Sequence, residues 1–411
     1  MRVAFVMVRA PFPLDTGGKI RSFHLLKEIS RLHEVTLVSG IANEQERLAA
    51  ASLREEVPDL TLRPISVAAR NGVTRRLWRA GTNVFDSLPY TWAAYRDARF
   101  TANLRGVLAS VPYDVVHCDH VQVAHAVASL RTPPRVLNAH NVDSVLLRRL
   151  AAVEPNRIRR RLIEWQAGKV RRAEQRAYRE FDACVAMSDV DRAHILTIAP
   201  AVWVAVVPNG VDLSWFRPSG TPPEPDLMVF SGSMDWEPNI DAAVYFARNV
   251  LPRVRRSRPM ARFLVAGRDP SPELRAQLRG EPGVAFSGTV PDIRPYLTKA
   301  CLVVVPLRVG SGTRLKILEA WAMAKPVLST TVGAEGLPAR DGENIAIADS
   351  AEDMAARAVD LLTRAKERER LGMMGQQMAE DRFSWSTIGR SLATMYDTVV
   401  KRQGSTGSRV R

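Results

Sequence analysis

At 411 residues the chain is longer than one ordinary hydrophobic core sustains, so two domains are expected. Hydrophobic residues make up 46% and charged residues 25%, which excludes a disordered or fibrous chain and leaves only Gln403 to Arg411 reading as unstructured. The 58 Lys and Arg against 43 Asp and Glu give a net charge of +15, pointing to anionic partners: nucleotides, phospholipid head groups or nucleic acid.

The first strand is the apolar run Val3 to Val8 between Arg2 and Arg9. That run is too short for the apolar segment of a secretory signal, so a cytoplasmic location is expected. A loop with Pro11, Pro13, Gly17 and Gly18 follows, then a helical pattern from Lys19 to Arg31 and a strand at His33 to Val38. Such a βαβ unit implies a parallel sheet. Short strands at Asp114 to His117 and Arg135 to Asn138 continue the alternation. A long helix is read over Pro155 to Phe181, then strands at Ala183 to Met187 and Trp203 to Val207. Residues 217–226 hold four prolines and a glycine, the composition of a stiff linker. Beyond them the rhythm restarts. Strands are expected at Leu227 to Phe230, Phe263 to Ala266, Val284 to Phe286, Leu302 to Val305 and Pro326 to Ser329. Helices are expected at Ile240 to Val254, Pro272 to Arg279, Ile293 to Lys299 and Leu315 to Ala324. The reading is α/β throughout: a first domain at 1–216, a linker at 217–226, a second domain at 227–385, and a tail at 386–411 whose helix returns to the first domain. Cys118, Cys184 and Cys301 are too scattered for a disulfide framework or a metal motif and read as buried apolar residues.

The segment richest in chemistry runs from Pro306 to Val327. A strand ends at Pro306, and Gly310-Ser311-Gly312 leads into a helix starting near Thr313. Free amides at a helix start, with glycines allowing close approach, make an anion site. Arg314 in the first turn conflicts with the helix dipole unless an anion binds there. Lys316 and Glu319 share a face, and a carboxylate further along the helix suits ribose hydroxyls. A dinucleotide fingerprint is excluded, because Leu315 stands where the third glycine belongs and no acid follows the next strand. Asp189 and Asp191 follow Ser188 at a helix start, so they read as a capped first turn rather than metal ligands.

The Gly-Thr-Arg-Leu-Lys-Ile-Leu-Glu run at 312–319 resembles a variant of the donor-site signature of glycosyltransferase family 4, retaining enzymes of the GT-B type. The resemblance covers residues 1–385 and implies two doubly wound Rossmann-like domains facing a central cleft. Glu319 matches the second glutamate of the family signature, and Ser311 occupies the position of the first. The loop after the first strand of the second domain has Ser233 and Pro238 where many members carry Arg and Lys. Arg314 and Lys316 are therefore expected to supply the diphosphate's counter-charge. The resemblance places the donor at Gly17, Gly18, Gly232, Gly267, Arg268, Gly310, Ser311, Gly312, Thr313, Arg314, Lys316 and Glu319. It assigns catalysis to His140, Arg314, Lys316 and Glu319, and the acceptor side to Lys19, His120 and Asn141. Pro208-Asn209-Gly210-Val211-Asp212 matches a segment closing the family's first domain and reads as architectural. The implied reaction uses a UDP- or GDP-sugar, needs no metal or other cofactor, proceeds with retention, and ends on a glycan or lipid-linked acceptor. The motif variant is closest to sugar transferases of exopolysaccharide and exosortase systems.

Between Arg148 and Arg179 lie 11 Lys and Arg against three acids, interleaved with Ile163 and Trp165. A further basic run, Arg75 to Arg79, surrounds Trp78. Such stretches suit an anionic membrane surface, giving a peripheral location at the inner face of the cytoplasmic membrane. No nucleic-acid-binding motif is present, so nucleic acid is not an expected partner. Two other functions keep parts of this pattern: a nucleotide-sugar epimerase of the same fold, and a non-enzymatic basic membrane- or nucleic-acid-binding protein. The epimerase would need acids in the first domain, where Asp119 is a candidate. The binding protein leaves the Arg314, Lys316 and Glu319 arrangement without a use.

Overall fold

The computed structural model describes the chain except residues 68–82, 84, 85, 87, 94, 129, 131, 132, 269, 311 and 408–411. Ser311 and the basic run Arg75 to Arg79 lie outside the described residues. The chain forms two units: Met1–Pro208 with Trp385–Arg411, and Asn209–Ser384.

The first unit is built on seven parallel strands: β1 (Arg2–Met7), β2 (Glu34–Ile41), β3 (Thr61–Ser66), β4 (Val115–Asp119), β5 (Arg135–Asn138), β6 (Ala183–Ala186) and β7 (Val204–Val206). Their order is β3-β2-β1-β4-β5-β6-β7. Both sheet faces are covered by helices, so the central strands are nearly continuous apolar runs: β1 is buried from Val3 to Met7. The strand order reverses between β1 and β4, and at that switch point stand Gly17 and Gly18 at the start of helix Gly17–Ser30, Asp119 at the end of β4, and His120 just beyond it.

The second unit repeats the plan with β8 (Leu227–Ser231), β9 (Arg262–Ala266), β10 (Val284–Gly288), β11 (Leu302–Val305), β12 (Val327–Ser329) and β13 (Ala346–Ile347). The order is β10-β9-β8-β11-β12-β13, again parallel, with the switch point between β8 and β11. The loops after these two strands hold Gly232, Gly310 and Gly312 to Arg314.

Several boundaries differ from the sequence reading. The change of unit falls after Pro208, not near 216. The Val211 amide bonds the Phe383 carbonyl at 2.7 Å, and Leu213 and Phe216 pack on the second core, so the Asn-Gly-Val-Asp segment belongs there. The long basic helix is Arg157–Glu180, capped by Asn156, and a separate helix, Asp143–Val153, precedes it. The helix expected over Ile240 to Val254 is Glu237–Tyr245, a π turn at Phe246–Val250, and Leu251–Ser257. Pro252 lacks the N–H that a continuous helix would use there. Strand β3 and the helices Glu44–Glu56 and Ala98–Ser110 have mixed composition and were not expected.

Helix Trp385–Gly407 lies in the first unit against helix Gly17–Ser30. His24 stacks on Trp385, with ring centroids 4.8 Å apart. A Cβ on Gly389 would stand 2.4 Å from Glu28 Cβ, so glycine permits this approach.

Candidate active site

In the first unit the site is organised by a residue that the sequence offers only as the candidate acid of an epimerase. Asp119 ends β4 and is fully buried. Its Oδ1 accepts from Asn138 Nδ2 at 2.7 Å and lies 2.8 Å from His140 Nε2. Its Oδ2 accepts from Ser22 Oγ at 2.6 Å and lies 3.1 Å from His120 Nδ1. Burial alone would push this carboxyl up. The opposing pull of His140, His120 and His117 wins and holds it well below the usual carboxylate range. His140 follows β5 and stacks on His120, with centroids 3.9 Å apart and planes at 15°. Burial, helped by His120, lowers His140 to about 4 against the pull of Asp119. For His120, burial lowers the value but Asp119 more than offsets it, and the net shift is upward. At neutral pH His140 is therefore a neutral imidazole. Its Nε2–H is held by Asp119, and its Nδ1 stands 3.6 Å from where a Gly18 Cβ would be. A longer side chain at 18 would cover that nitrogen. His120 takes a positive φ of 102°, strain kept by the surrounding hydrogen bonds.

Asp119, His120 and His140 each offer a ligand atom within 4.8 Å of the others. An ion in the plane of one imidazole would lie off the plane of its stacked neighbour. The arrangement therefore serves a hydrogen-bonded carboxylate better than a shared ion.

Arg21, fully buried, completes the floor. It donates to Asn138 Oδ1 at 3.3 Å and to the carbonyls of Val207 and Pro208 at 2.8 and 2.7 Å. Lys19, an expected acceptor group, is paired with Asp15 at 2.8 Å. Asn141 is half-buried beside His140. Gly17 opens the helix, whose Thr16 cap accepts from the Lys19 amide at 3.4 Å.

In the second unit, helix Leu315–Ala322 begins two residues later than Thr313, with Arg314 as its N-cap. Among the described residues no side chain caps it; the Ile317 amide turns back to the Arg314 carbonyl at 3.1 Å, and the helix start can face an anion. Arg314 is not a first-turn cation, as the sequence reading had it. Its guanidinium turns back to the Gly312 carbonyl and reaches the Val332 carbonyl at 3.5 Å. A Cβ on Gly310 would stand 2.1 Å from Arg314 Nη2, so a side chain there would displace the guanidinium. Thr313 is drawn to the Pro-Asn-Gly segment, since Asn209 Nδ2 donates to its carbonyl at 3.2 Å.

Lys316 behaves differently. Its ammonium crosses to the first turn of helix Glu237–Tyr245, bonds Asn239 Oδ1 at 2.9 Å and lies over the Phe230 ring of β8 at 4.1 Å. A Cβ on Gly232 would meet that ammonium at 2.9 Å. Burial, and secondarily Arg314, lowers Lys316 to about 7, while burial raises Glu319 to about 7. An anion placed here would restore full charge to the lysine. Gly267, at φ 144°, ends β9 so close that a Cβ would stand 2.0 Å from the Gly232 carbonyl oxygen. Arg268 pairs with Asp235 at 2.6 Å. Of the expected donor residues, Gly232, Gly267, Arg268, Gly310, Gly312, Thr313 and Arg314 thus stand on loops after β8, β9 and β11, with Lys316 and Glu319 on the helix that follows and Asn239 added by the structure, while Gly17 and Gly18 belong to the first unit. Asn138, two positions before His140, and Asp119, beside His120, carried a signal in their spacing. Ser22, Arg21, His117 and Asn239 carried none.

Two α/β units, each with its polar groups at the switch point, define a two-domain, doubly wound architecture of the kind that binds nucleotides. Family models agree along the chain. Glycosyltransferase Family 4 matches residues 16–215, and Glycosyl transferases group 1 matches residues 225–364. The chain is a glycosyltransferase with the GT-B fold. An uncharacterised protein of the cps region of Klebsiella pneumoniae is 21% identical over 85% of this chain and 87% of its own length. Sucrose-phosphate synthase from Thermosynechococcus elongatus has a similar fold, with TM-score 0.73 at 16% identity over 98% of this chain and all of its own. Anabaena HepE in complex with UDP-glucose aligns with TM-score 0.68 at 14% identity over 97% of this chain and all of its own.

Proposed function

We propose that the protein transfers a sugar, with retention, from a UDP- or GDP-sugar to a glycan or lipid-linked acceptor in the synthesis of a bacterial surface polysaccharide. The observation that carries this reading is the start of helix Leu315–Ala322, uncapped by any described side chain, with the Lys316 ammonium beside Gly232 and Glu319 one turn along. The helix-start amides and Lys316 meet the diphosphate, and Glu319 accepts hydrogen bonds from the ribose. The UDP-glucose complex of HepE and the cps-region relative support the donor and product class. In the transfer, an acceptor hydroxyl attacks the anomeric carbon on the face from which the diphosphate leaves. The bond to the diphosphate oxygen breaks, and that oxygen takes the hydroxyl proton. Helix amides and Lys316 stabilise the charge that develops on the leaving group.

Among the described residues no helix is long and apolar enough to cross a membrane. We read helix Arg157–Glu180 as the contact with an anionic membrane surface at the cytoplasmic face. Ile158, Leu162 and Trp165 follow at i, i+4 and i+7, are 74%, 57% and 39% exposed, and stand among Arg157, Arg159 and Arg161.

The test is calorimetric titration of UDP and GDP. One nucleotide should bind in the micromolar range. Lys316→Ala should weaken it about tenfold, about 1.4 kcal/mol. Arg314→Ala should weaken it through the loop it braces. Binding of neither nucleotide would refute the donor-site reading.

A further inference from the structure

Tyr396 lies on the last helix, Trp385–Gly407, yet its fully buried phenol reaches the first unit's catalytic floor. Its oxygen lies 2.8 Å from Nδ1 of His117, 279 positions earlier in the chain. His117, also fully buried, is held flat by Phe5, with centroids 4.1 Å apart and planes at 19°. Its other nitrogen, Nε2, has no hydrogen-bond partner within 3.5 Å among the described residues and looks toward Asp119 Oδ1 at 3.7 Å.

These positions allow two proton arrangements. With the phenol donating to Nδ1, the proton of the neutral ring sits on Nε2 and its dipole points at the carboxylate. With Nδ1 donating to the phenol, the Nε2 lone pair faces a negative charge at close range, which is repulsive in a dry interior. The first arrangement wins. Asp119 is then held from several sides: by Ser22 and Asn138, by His117 on its own strand, by His120 and His140 from the neighbouring loops, and by the field of Arg21 from helix Gly17–Ser30. Asp143 is the acid beyond His120.

We propose that Tyr396 is a positioning residue: by donating to Nδ1 its phenol holds the His117 Nε2–H on Asp119 and, through Asp119, the orientation of His140, so that the C-terminal helix completes the active site. The role in transfer rests on the proposed function; the hydrogen-bond relay does not.

The test is nitrogen-15 NMR of the histidine side chains in the full chain, whose seven imidazoles are few enough to assign. In the wild type, His117 and His140 should both show protonated Nε2 and bare Nδ1. In Tyr396→Phe, which keeps the ring, the His117 nitrogen signals should shift as Nδ1 loses its donor and the Nε2–H its fixed direction. The titration of the Asp119 histidine cluster should move up by about half a pH unit or more, since a less well aimed N–H leaves the carboxylate more basic. kcat should fall about tenfold with donor KM unchanged. His117→Gln keeps an N–H toward Asp119 without a phenol, so in that background Tyr396→Phe should no longer move His140. Unchanged His117 and His140 signals in Tyr396→Phe would overturn the proposal, as would an equal effect in both backgrounds. Spectral changes with unchanged transfer would leave the relay standing and remove His140 from the reaction.

Discussion

Replacing Glu174 with Gln should stabilise the protein, and the gain should grow with pH. Glu174 is fully buried in helix Arg157–Glu180. Its Oε1 accepts from the Ser144 amide at 3.2 Å, but Oε2 has no hydrogen-bond partner among the described residues, nor have the nearby Ser144 and Tyr178 hydroxyls. Burial first, then the charge of Asp143, raises the carboxyl from 4.5 to about 8. The folded protein therefore keeps a proton that the unfolded chain releases. A carboxyl raised by folding is harmless below the unfolded value of 4.5, and stability is lost as pH climbs from there through 8. At pH 7 the accumulated loss is about 3 kcal/mol. Glutamine keeps the volume and the bond to Ser144 while removing the titration. Asp143, raised to about 6 by burial, adds a slope of the same sign in both proteins. The gain should be near zero at pH 4.5. At pH 7 it should raise the melting transition of the first unit by about 6 to 12 °C, read by scanning calorimetry. A gain independent of pH, or a loss at pH 7, would mean that Glu174 is ionised in the fold, and the reasoning would fail.

Gly267→Ala should destabilise the second unit by about 2 kcal/mol or more, because the new Cβ meets the Gly232 carbonyl and the backbone stays at positive φ. Urea midpoints check this, and a variant as stable as the wild type would show that the two loops are not in contact. Vesicles containing anionic lipid should sediment the protein, and neutral vesicles should not. Ile158→Asp with Leu162→Asp should abolish that binding while nucleotide affinity is kept. Equal sedimentation with both lipids would remove the membrane reading.

Much of the architecture was legible because its determinants are local. The apolar runs of β1, β4 and β11 are buried-strand sequences, and Gly312-Thr-Arg-Leu-Lys-Ile-Leu-Glu319 announces a turn entering a helix. Ser188 with Asp189 and Asp191 forms a cap: the Ser188 hydroxyl accepts from the Asp191 amide at 3.1 Å. Strand β3, with Arg63 and Pro64 at the sheet's edge, lacks the apolar run of a central strand, and its existence depends on pairing with β2. The unit boundary was read from proline content, but it follows where Val211 and Phe216 find apolar partners.

The site divides along the same line. The sequence by itself determined which residue types stand at strand ends and helix starts, since a few consecutive residues set a turn, a cap or a period. Tertiary structure alone decided what those residues do. It made Asp119 the hub of His140, His120, Ser22 and Asn138, folded Arg314 back on its own loop, carried Lys316 to Asn239, and set Tyr396 against His117. Direction and partnership of a side chain come from the packing of elements far apart in the chain, and burial at that meeting point then sets its charge.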